Sequence, residues 1–579
     1  MSCRYPTLER DHLADIEDYA QSVLLGTKPA NRYEILAVQR ESDDLLAAAN
    51  NPDFKYYFDP ESALKVIRFI ETFRHVKGPW AREKGIDGLI VLEGWQKWIV
   101  AQIFGWKVRA TGFRRFRSAY VCVPRKNGKS VLAAGIALYM LAHDGEFGAE
   151  VYCGATNQKQ AWEVFRPAKR MAQKQPAFRK KFGIEIHANK LEKVSDGSRF
   201  EPIIGDPGDG SSPSLYIGDE YHEHDSDNQR DTMVTGMIAR EQGLELLITT
   251  AGTNPAGPCA LHQKDVEKVL EGVAPDESLF GVIYTIDKGD DWKSELALIK
   301  ANPNFGVSAG ADVLKDEQSK AIQSARKQNK FKTKHLNVWC GAKEAWLNSE
   351  DWVAAGDKEL SLDDFKGMRC GNGLDLSKTD DLTSRVKCFV KEIDGVEHYY
   401  FFGNHYVTKA KAEDSQLYQG WINEGWLTEC DANDGKMIDY QLVRDDFDED
   451  LLHFDIEDIY HDPAGANVLA QQIDTSTNVE AVEIPQTFRV FSPYMRDFEV
   501  LLSAGRIHHN GDPVLAWCFS NVVAKETQDG KYVRPIKEDR DNKIDAAVAA
   551  LMAFIKVYEP KDEYDDQQAM EEYLDRLGA

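Results

Sequence analysis

The stretch that decides the fold is Tyr120–Leu138, which reads YVCVPRKNGKSVLAAGIAL. An apolar run typical of a strand is followed by a polar turn, and Gly128–Ser130 then opens an Ala- and Leu-rich helical pattern. This is the layout of a phosphate-binding loop, in which backbone N–H groups and the positive end of a helix face the phosphates. We expect Lys129 to reach the β- and γ-phosphates and the Ser130 hydroxyl to ligate Mg²⁺.

One position of this loop departs from the usual pattern. The pattern GxxxxGKS has a glycine at the place that Val123 occupies here. The turn residues Arg125, Lys126 and Asn127, together with Gly128, complete the predicted nucleotide-binding loop. Because a Gly-Lys-Ser triplet occurs by chance in many chains, an ordinary strand-turn-helix is the alternative unless a second part of a nucleotide site is found.

That second part is an acidic pair, Asp219-Glu220, at the end of the apolar run Leu215–Gly218. Phosphoryl transfer requires a carboxylate on the Mg²⁺ ion and a base or water-positioning group beside it. In a parallel sheet both groups would lie at a carboxyl strand end near the loop. We therefore assign the metal-binding role to Asp219 and the water-activating role to Glu220. The pair and the loop together favour an ATP site over an ordinary strand-turn-helix.

Three further segments of this half have both a functional and a structural interpretation. Gln96 precedes the loop by about one helix and could bind an adenine edge, but a Gln on a helix surface is more common. Thr250–Thr253 follows a buried strand and could report hydrolysis to the rest of the protein, or it could be a plain strand end. His222–Asp225 could suggest a metal cluster, but the alternating spacing favours a polar turn.

Length and composition limit what the chain can be. At 579 residues it is too long for one core, and two to four domains are expected. No stretch approaches the ~18 apolar residues of a membrane span, and Met1–Pro6 shows no secretory signal, so we expect a cytosolic protein that does not enter a membrane. Nine scattered cysteines without a CxxC motif indicate free thiols rather than a disulfide framework or a zinc site.

Charge is distributed unevenly along the chain. The formal net charge of −25 argues against a sequence-independent DNA coat, whose affinity would come from neutralising phosphates. Positive charge is nevertheless concentrated in three runs, at 107–129, 159–181 and 315–334. Solvated helix faces explain many such runs, but these three also permit a local DNA track.

Strand-like segments alternate with helical ones after the loop, which predicts an α/β fold with a mostly parallel sheet. In the second half, the pair Asp394-Gly395 between two apolar runs predicts a β-hairpin. A dense aromatic run at 339–352 marks a domain boundary. The predicted organisation is an N-terminal helical region at 1–80, a nucleotide-binding domain at 81–345, a linker at 346–365, a second α/β domain at 366–557 and an acidic C-terminal tail at 558–579.

The second half carries three carboxylates in or at the ends of predicted elements. Asp375 lies in a short apolar strand signal, Asp462 ends another strand, and Asp545 lies one turn into a late helical pattern. Two Mg²⁺ or Mn²⁺ ions about 4 Å apart need several anionic oxygens to hold them during phosphodiester cleavage. The three Asp residues therefore predict a two-metal nuclease site, with Asp381 as a weaker fourth candidate. Caps at strand ends are the alternative interpretation.

The order of these features resembles one family, the large terminase subunit of tailed bacteriophages. The resemblance is carried by Gly94–Gln96, Arg114–Arg117, Val123–Ser130, Ile217–His222, Thr250–Thr253 and the set Asp375, Asp462 and Asp545. It implies an ASCE-type P-loop ATPase domain followed by an RNase-H-like nuclease domain. It also implies that Arg125 contacts the nucleotide phosphates in cis as part of the catalytic set, and that Thr250–Thr253 is the coupling motif.

The same resemblance implies a motor that hydrolyses ATP, translocates double-stranded DNA into a procapsid and cuts concatemeric DNA. The implied partners are a small terminase subunit, the portal protein of the procapsid and further copies of the chain in a ring, commonly a pentamer. The implied location is the host cytoplasm and not the mature virion. A helicase or repair ATPase fused to a resolvase-like nuclease is the alternative enzyme, and a C-terminal half that binds partners without metal is the non-enzymatic alternative.

One element of the family pattern is missing from the expected place. Many members carry an arginine shortly before the acidic pair that acts on a neighbour's nucleotide, whereas Gly208–Pro213 contains none. The trans-acting arginine is therefore unplaced, and the candidates are Arg166, Arg170, Arg199, Arg230 and Arg240.

Overall fold

The computed structural model describes residues 11–205, 208, 210–342, 345–377, 382–462, 467–537 and 542–559. The chain divides into two compact units, and the division falls between Cys340 and Gly341. The candidate Asp381 and all but the first two residues of the predicted acidic tail lie outside the described residues. No helix within the described residues is long and apolar enough to cross a membrane.

The first unit alternates helices and strands along most of its length. Its helices are α1 (His12–Leu24), α2 (Arg32–Asn50), α3 (Pro60–Glu71), α4 (Gly94–Gly105), α5 (Lys129–Ala142), α6 (Gln158–Lys174), α7 (Pro176–Phe182), α8 (Asn228–Gly236), α9 (Pro258–Leu270), α10 (Glu295–Ala301), α11 (Ala311–Ile322) and α12 (Ala325–His335). Its strands are β1 (Tyr56–Phe58), β2 (Trp106–Val108), β3 (Ser118–Cys122), β4 (Glu150–Ala155), β5 (Ile184–Ile186), β6 (Leu191–Lys193), β7 (Ser198–Ile204), β8 (Leu215–Asp219), β9 (Leu244–Thr249) and β10 (Leu279–Ile283).

The main sheet of the first unit has the order β10-β3-β9-β8-β4-β7-β6-β5. The strands from β10 to β7 are parallel, and only β6 and β5 are antiparallel. Every residue of β8 and β9 is buried, as expected for strands covered on both faces. The predicted mostly parallel α/β sheet is confirmed. Its topology brings the carboxyl ends of β3, β8 and β9 together at one edge.

The N-terminal helices pack onto this sheet. Asn31, the N-cap of α2, donates its side-chain N–H to the carbonyl of Ile283 at the end of β10, at 2.8 Å. The Tyr19 hydroxyl of α1 lies 2.9 Å from the Tyr284 hydroxyl. Apolar residues of α1 to α3 belong to the same hydrophobic cluster as the strands. These helices therefore help to cover the sheet whose edge carries the phosphate-binding loop.

The second unit is also built from helices and strands. Its helices are α13 (Ser349–Ala354), α14 (Lys409–Glu413), α15 (Gln416–Asn423), α16 (Ala432–Gly435), α17 (Tyr440–His453), α18 (Asn467–Ser476), α19 (Phe488–Ser503), α20 (Pro513–Asn521) and α21 (Asp545–Val557). Its strands are β11 (Cys370–Asp375), β12 (Thr383–Ile393), β13 (Val396–Thr408), β14 (Thr428–Cys430), β15 (Asp458–His461), β16 (Glu480–Glu483), β17 (Ile507–His509), β18 (Val522–Glu526) and β19 (Val533–Lys537).

The sheet of the second unit has the order β14-β13-β12-β11-β15-β16, with β17 also paired to β13. Strands β11, β12 and β13 are antiparallel, while β15 runs parallel to β11. The hairpin between β12 and β13 turns at Asp394 and Gly395, both with positive φ, as a two-residue turn of the favoured hand requires. That hairpin prediction is confirmed. The late helix α21 packs along β11 and β12 and lines one face of the sheet.

Candidate functional site

The phosphate-binding loop joins β3 to α5. Lys126 and Gly128 adopt left-handed backbone conformations, with φ of 72° and 89°. Gly128 tolerates this conformation without strain, and a Cβ there would stand 3.1 Å from the Nε2 atom of Gln96. The first N–H groups of α5 follow directly at Lys129 and Ser130, where a helix has no internal acceptors for them. The loop therefore has the backbone form of an anion cradle.

Val123 occupies the position of the missing glycine without disturbing the loop. Its side chain is fully buried, and its N–H donates to the carbonyl of Thr249 at 3.0 Å, which continues the pairing of β3 with β9. The Lys129 Nζ donates to the Val123 carbonyl at 3.0 Å. Burial lowers the pKa of Lys129, although the carboxylates of Glu220 and Asp219 oppose that shift. The Val123 side chain thus packs in the core, while its backbone N–H and carbonyl groups bond to Thr249 and Lys129.

Side chains and backbone groups of residues 302–308 hydrogen-bond to the phosphate-binding loop and support it. The Asn127 amide donates to the Pro124 carbonyl at 3.1 Å and to the Asn302 side chain at 2.9 Å. In the other direction, the Asn304 N–H donates to the Asn127 side chain at 2.9 Å. The Ser308 hydroxyl donates to the Lys126 carbonyl at 2.7 Å. Asn302, Asn304 and Ser308 were not predicted, because nothing in their local sequence points to a loop so far away in the chain.

The acidic pair lies at the same edge of the sheet. Asp219 is the last residue of β8 and is buried, whereas Glu220 has a left-handed backbone with φ of 49°. Burial, and then the charge of Glu220, raise the pKa of Asp219 to about 7 against the effect of Lys129. Burial would also raise the pKa of Glu220, but the charges of Lys129, His222 and Arg125 outweigh it and hold that pKa below its ordinary value.

Arg125 therefore belongs to the same charged neighbourhood as Glu220 and Lys129. Its N–H donates to the Lys334 carbonyl at 3.0 Å. Its Nε atom is buried and makes no hydrogen bond among the described residues. The structure thus brings together Arg125, Lys129, Asp219 and Glu220, with Ser130 one residue further along α5.

Gln96 lies at the start of α4, next to the loop. Its Oε1 accepts the N–H of Glu93 at 3.0 Å in a capping box, so one end of the amide is used by the helix itself. The Nε2 end faces Gly128. A cavity of about 170 Å³ opens here, and its lining is mainly apolar, with Gln96, Gly128, Val131, Asn304, Val307 and Trp80 among the lining residues. Gln96 is therefore buried and caps α4, rather than lying on the helix surface as the structural alternative expected, and it also borders a cavity beside the loop.

The three predicted nuclease carboxylates lie at neighbouring ends of their elements. Asp375 ends β11, and Asp462 follows β15, whose register with β11 pairs Leu374 with His461. Asp545 begins α21, and a Cβ at Gly371 would stand 2.4 Å from the carbonyl of Ala553 in this helix. The helix therefore runs along β11, with its first turn at the Asp375 end.

The three carboxylates do not form a metal-binding group in this structure, because no set of three or more His, Cys, Asp or Glu side chains among the described residues is placed to hold a metal ion. The Gln486 amide donates to the Asp462 carboxylate. Burial, and then the charges of Asp545, Asp512 and Asp375, raise the pKa of the Cys518 thiol. The nuclease assignment of the three Asp residues stays a prediction.

A buried polar chain on the same sheet was not predicted. The Ser384 hydroxyl lies 2.9 Å from Nδ1 of His405, whose Nε2 lies 2.8 Å from the Asp512 carboxylate. Ser384 is the cross-strand partner of Asp375. The His405 and Asp512 side chains are fully buried, so they cannot meet a substrate directly. The chain links the α20 cap at Asp512 to the strand beside Asp375.

The candidate trans-acting arginines differ in their surroundings. Arg230 forms an ion pair with Glu245 at 2.6 Å, and Arg199 forms one with Glu150 at 3.1 Å. Arg240 donates to the carbonyls of Ser212 and Gly148 at 2.8 and 2.9 Å. Arg166 and Arg170 are exposed on α6. The identity of the trans-acting arginine stays open.

Comparison with known proteins assigns both halves of the chain. The family model "Terminase large subunit, ATPase domain" matches residues 94–268, and "Terminase large subunit, endonuclease domain" matches residues 274–560. Protein YmfN of Escherichia coli (strain K12) is 38% identical over 372 residues, which is 62% of this chain and 81% of that protein. The large terminase subunit of Enterobacteria phage HK97 is 26% identical over 445 residues, covering 75% of this chain and 85% of that protein.

Solved structures give a weaker match. The crystal structure of the HK97 bacteriophage large terminase is 24% identical and covers 85% of this chain and 99% of its own, with a TM-score of 0.43. The large terminase of a thermophilic bacteriophage is 13% identical and covers 86% of this chain and 99% of its own, with a TM-score of 0.30.

Proposed function

The chain belongs to the terminase large-subunit family, and from this premise we propose how its two catalytic sites work. It is an ATPase and a DNA endonuclease of viral genome packaging. Domains of these two kinds use ATP and a divalent metal ion. A helicase or repair ATPase is not favoured, because both family models describe terminase domains. The single observation that carries the ATPase proposal is the parallel register of β3, β9 and β8, which places the loop with Arg125 and Lys129 at the same edge of the sheet as Glu220.

We propose that Glu220 orients and deprotonates the attacking water. Its lowered pKa keeps the carboxylate ionised and able to accept a proton. Lys129 and Arg125 bind the β- and γ-phosphates and balance the negative charge that develops on them. The loop residues Lys126, Asn127 and Gly128 present backbone N–H groups to the same phosphates.

The Mg²⁺ ion that accompanies ATP would be held by Ser130 and Asp219. A hydroxyl and a carboxylate at the carboxyl edge of the sheet supply the hard oxygen ligands that Mg²⁺ prefers, so the residues fit the ion. When bound, the ion neutralises charge on the β- and γ-oxygens. The adenine base would enter the cavity beside Gln96, whose Nε2 remains available as a donor while Oε1 caps α4.

We propose that Asp375, Asp462 and Asp545 hold two Mg²⁺ or Mn²⁺ ions in the second unit. Three carboxylates at adjacent element ends have the chemistry of such ligands, and the ions when bound would stabilise the attacking and leaving oxygens of a phosphodiester. The role of this unit's own residues is to hold those ions against the DNA strand. The support is the parallel register of β11 and β15 and the path of α21 along β11.

The finer biological setting is also a proposal. We propose that ATP hydrolysis translocates double-stranded DNA into a procapsid, and that the nuclease cuts concatemeric DNA at the start and end of packaging. The partners would be a small terminase subunit and the portal protein, with the chain acting as a ring, commonly pentameric, while docked. The site of action would be the host cytoplasm, and the protein would not remain in the mature virion.

The test separates the two activities in the purified full-length chain. Lys129→Ala should reduce ATP hydrolysis at least about 100-fold and leave Mn²⁺-dependent DNA cleavage intact. Asp375→Asn should abolish cleavage and leave ATP hydrolysis intact. Lys159→Ala and Asp474→Asn, both at exposed positions, are the matched controls. Normal ATP hydrolysis by Lys129→Ala, or normal cleavage by Asp375→Asn, would refute the corresponding assignment.

A further inference from the structure

His222 lies two residues after Glu220, in the short turn Tyr221–Glu223, and its ring is buried with 7% of the side chain exposed. Its Nδ1 atom is 3.3 Å from the Glu220 carboxylate and 3.1 Å from the Thr249 hydroxyl. The Thr250 hydroxyl is 3.4 Å from the same nitrogen. The polar turn predicted from the sequence thus places an imidazole between the water-activating carboxylate and the end of β9.

Counting donors and acceptors shows which way this imidazole is used. The Thr249 hydroxyl donates its one proton to the Thr250 carbonyl at 2.9 Å, and it accepts the His222 backbone N–H at 3.1 Å. With that proton used, the hydroxyl can only accept from the ring, and we assign a hydrogen to Nδ1 on this basis. The Glu220 carboxylate is an acceptor as well. The Thr250 hydroxyl, at 3.4 Å, can also accept, and the other ring nitrogen, Nε2, lies 3.3 Å from the Glu223 carboxylate. Among the acceptors of the Nδ1–H group, Thr249 and the Glu220 carboxylate lie nearest.

Glu220 itself is held in an unusual way. Its backbone is left-handed, a conformation that costs free energy in a residue other than glycine and that is enriched at active sites and switch regions. Its N–H donates to the Ile248 carbonyl at 3.1 Å, so its backbone is anchored to β9. The Oε2 atom is buried and lacks a hydrogen bond among the described residues, although the His222 Nδ1 is only 3.3 Å away.

We propose that His222 is a positioning residue whose Nδ1–H group keeps its proton and switches its hydrogen bond between the Thr249 hydroxyl and the Glu220 carboxylate. This switch couples the orientation of the Glu220 carboxylate to the end of β9. The proposal rests on the proposed role of Glu220 in ATP hydrolysis. A small rotation of the ring would exchange one acceptor for the other, because both lie within about 0.2 Å of the same distance from Nδ1.

The segment Thr249–Gly252, which would respond to this switch, also contacts residues 337–339 near the end of the first unit. The Ala251 N–H donates to the Asn337 side chain at 2.6 Å. A Cβ at Gly252 would stand 2.9 Å from the Trp339 ring and 3.1 Å from the Cβ of His222. Because there is no room for a side chain at Gly252 between Trp339 and His222, we expect a shift of His222 to be passed on to residues 337–339. The segment can therefore carry the state of the ATP site to the end of the unit.

The first experiment compares two substitutions of His222 in the full-length chain. His222→Leu removes the donor, and we expect kcat for ATP hydrolysis to fall about 10- to 100-fold while KM for ATP changes less than about threefold. His222→Asn places an amide N–H near the position of Nδ1 and should restore most of kcat. His187→Leu, at a partly exposed position just after β5, is the control. A normal kcat in His222→Leu, or no recovery in His222→Asn, would overturn the proposal.

The second experiment uses the partner hydroxyl and keeps the test valid if His222→Leu folds poorly. Thr249→Val is nearly isosteric and removes one of the two acceptors. In a double-mutant cycle of Thr249→Val with His222→Phe, which keeps a ring but has no N–H donor, we expect the effects on kcat to be non-additive, and strict additivity would overturn the proposal. Glu220→Gln distinguishes the catalytic role of Glu220 from the positioning role of His222. If it retains turnover, the role of Glu220 fails, whereas loss of turnover there with normal His222→Leu activity refutes the positioning role alone.

Discussion

Gly373 of β11 lies so close to Ala549 of α21 that a Cβ added at Gly373 would stand 1.9 Å from the Ala549 carbonyl oxygen and 2.6 Å from the Ala553 nitrogen. Both neighbours are helix backbone and cannot rotate away. This absence of a side chain sets how closely α21 approaches the strand. Since Asp545 begins that helix and Asp375 ends that strand, the same contact sets the spacing of two predicted metal ligands.

Gly373→Ala should therefore destabilise the second unit. We expect the free energy of unfolding to fall by about 3 kcal/mol, because the helix must move to relieve the overlap. DNA cleavage should be lost at temperatures where ATP hydrolysis is retained. Denaturant unfolding and the two activity assays measure these effects. Gly420→Ala is the control, since a Cβ there meets nothing within 4 Å, and equal stability of the two variants would contradict the prediction.

Asn127→Ala should weaken nucleotide binding. The substitution removes the bonds to Pro124 and Asn302 and leaves the buried Asn304 N–H without its acceptor, so the loop loses its support. We expect the Kd for ATP to rise about tenfold or more. Titration with a fluorescent ATP analogue measures the change. Asn50→Ala, at an exposed helix end, should bind ATP as the unchanged protein does. An unaltered Kd for ATP in Asn127→Ala would contradict the supporting role of Asn127 in the loop.

Two substitutions at Gln96 should separate its structural role from its nucleotide role. Gln96→Glu keeps an acceptor for the Glu93 N–H but loses the Nε2 donor, so we expect near-normal stability and weaker ATP binding. Gln96→Ala loses both functions and should also cost about 1 kcal/mol of stability. Denaturant unfolding and ATP titration distinguish the two. Equal ATP affinity in Gln96→Glu and the unchanged protein would exclude a role in base recognition.

Glu41 should make the first unit less stable as the pH rises. Burial raises the pKa of Glu41 to about 7, although hydrogen bonds from Trp98 and Gln102 lower it in part. Because the folded pKa lies above the unfolded value of about 4.3, this group's contribution is fully present below about pH 4 and is lost as the pH rises through 7. Between these values the loss should approach about 1.4 kcal/mol per pH unit.

The measurement is denaturant unfolding at several pH values from 5 to 8. In Glu41→Gln the group cannot ionise, so the pH dependence of the unfolding free energy should be shallower than in the unchanged protein. Glu17→Gln, at an exposed position on α1, should leave the slope as it is. Identical slopes in Glu41→Gln and the unchanged protein would show that Glu41 is ionised in both states across this range.

Local sequence was sufficient for much of the ATPase half. The alternation of strands and helices predicts the parallel sheet, and a parallel sheet necessarily brings strand ends such as Asp219 and Thr249 to one edge. The loop was recognisable despite Val123, because the glycine, lysine and serine that follow it keep their spacing. The hairpin at Asp394 and Gly395 was also predictable, because its two turn residues are adjacent in the chain.

Only the tertiary structure decided which distant side chains complete these sites. Asn302 and Asn304 support the loop across more than 170 residues of sequence, and His222 meets Thr249 only because β8 and β9 are neighbours in the sheet. Periodicity and motifs report contacts within a turn or a strand, whereas these contacts arise from the order in which strands assemble. The sequence by itself thus determined the type of fold and predicted candidates for the reactive residues, and packing decided which distant side chains hold and connect them.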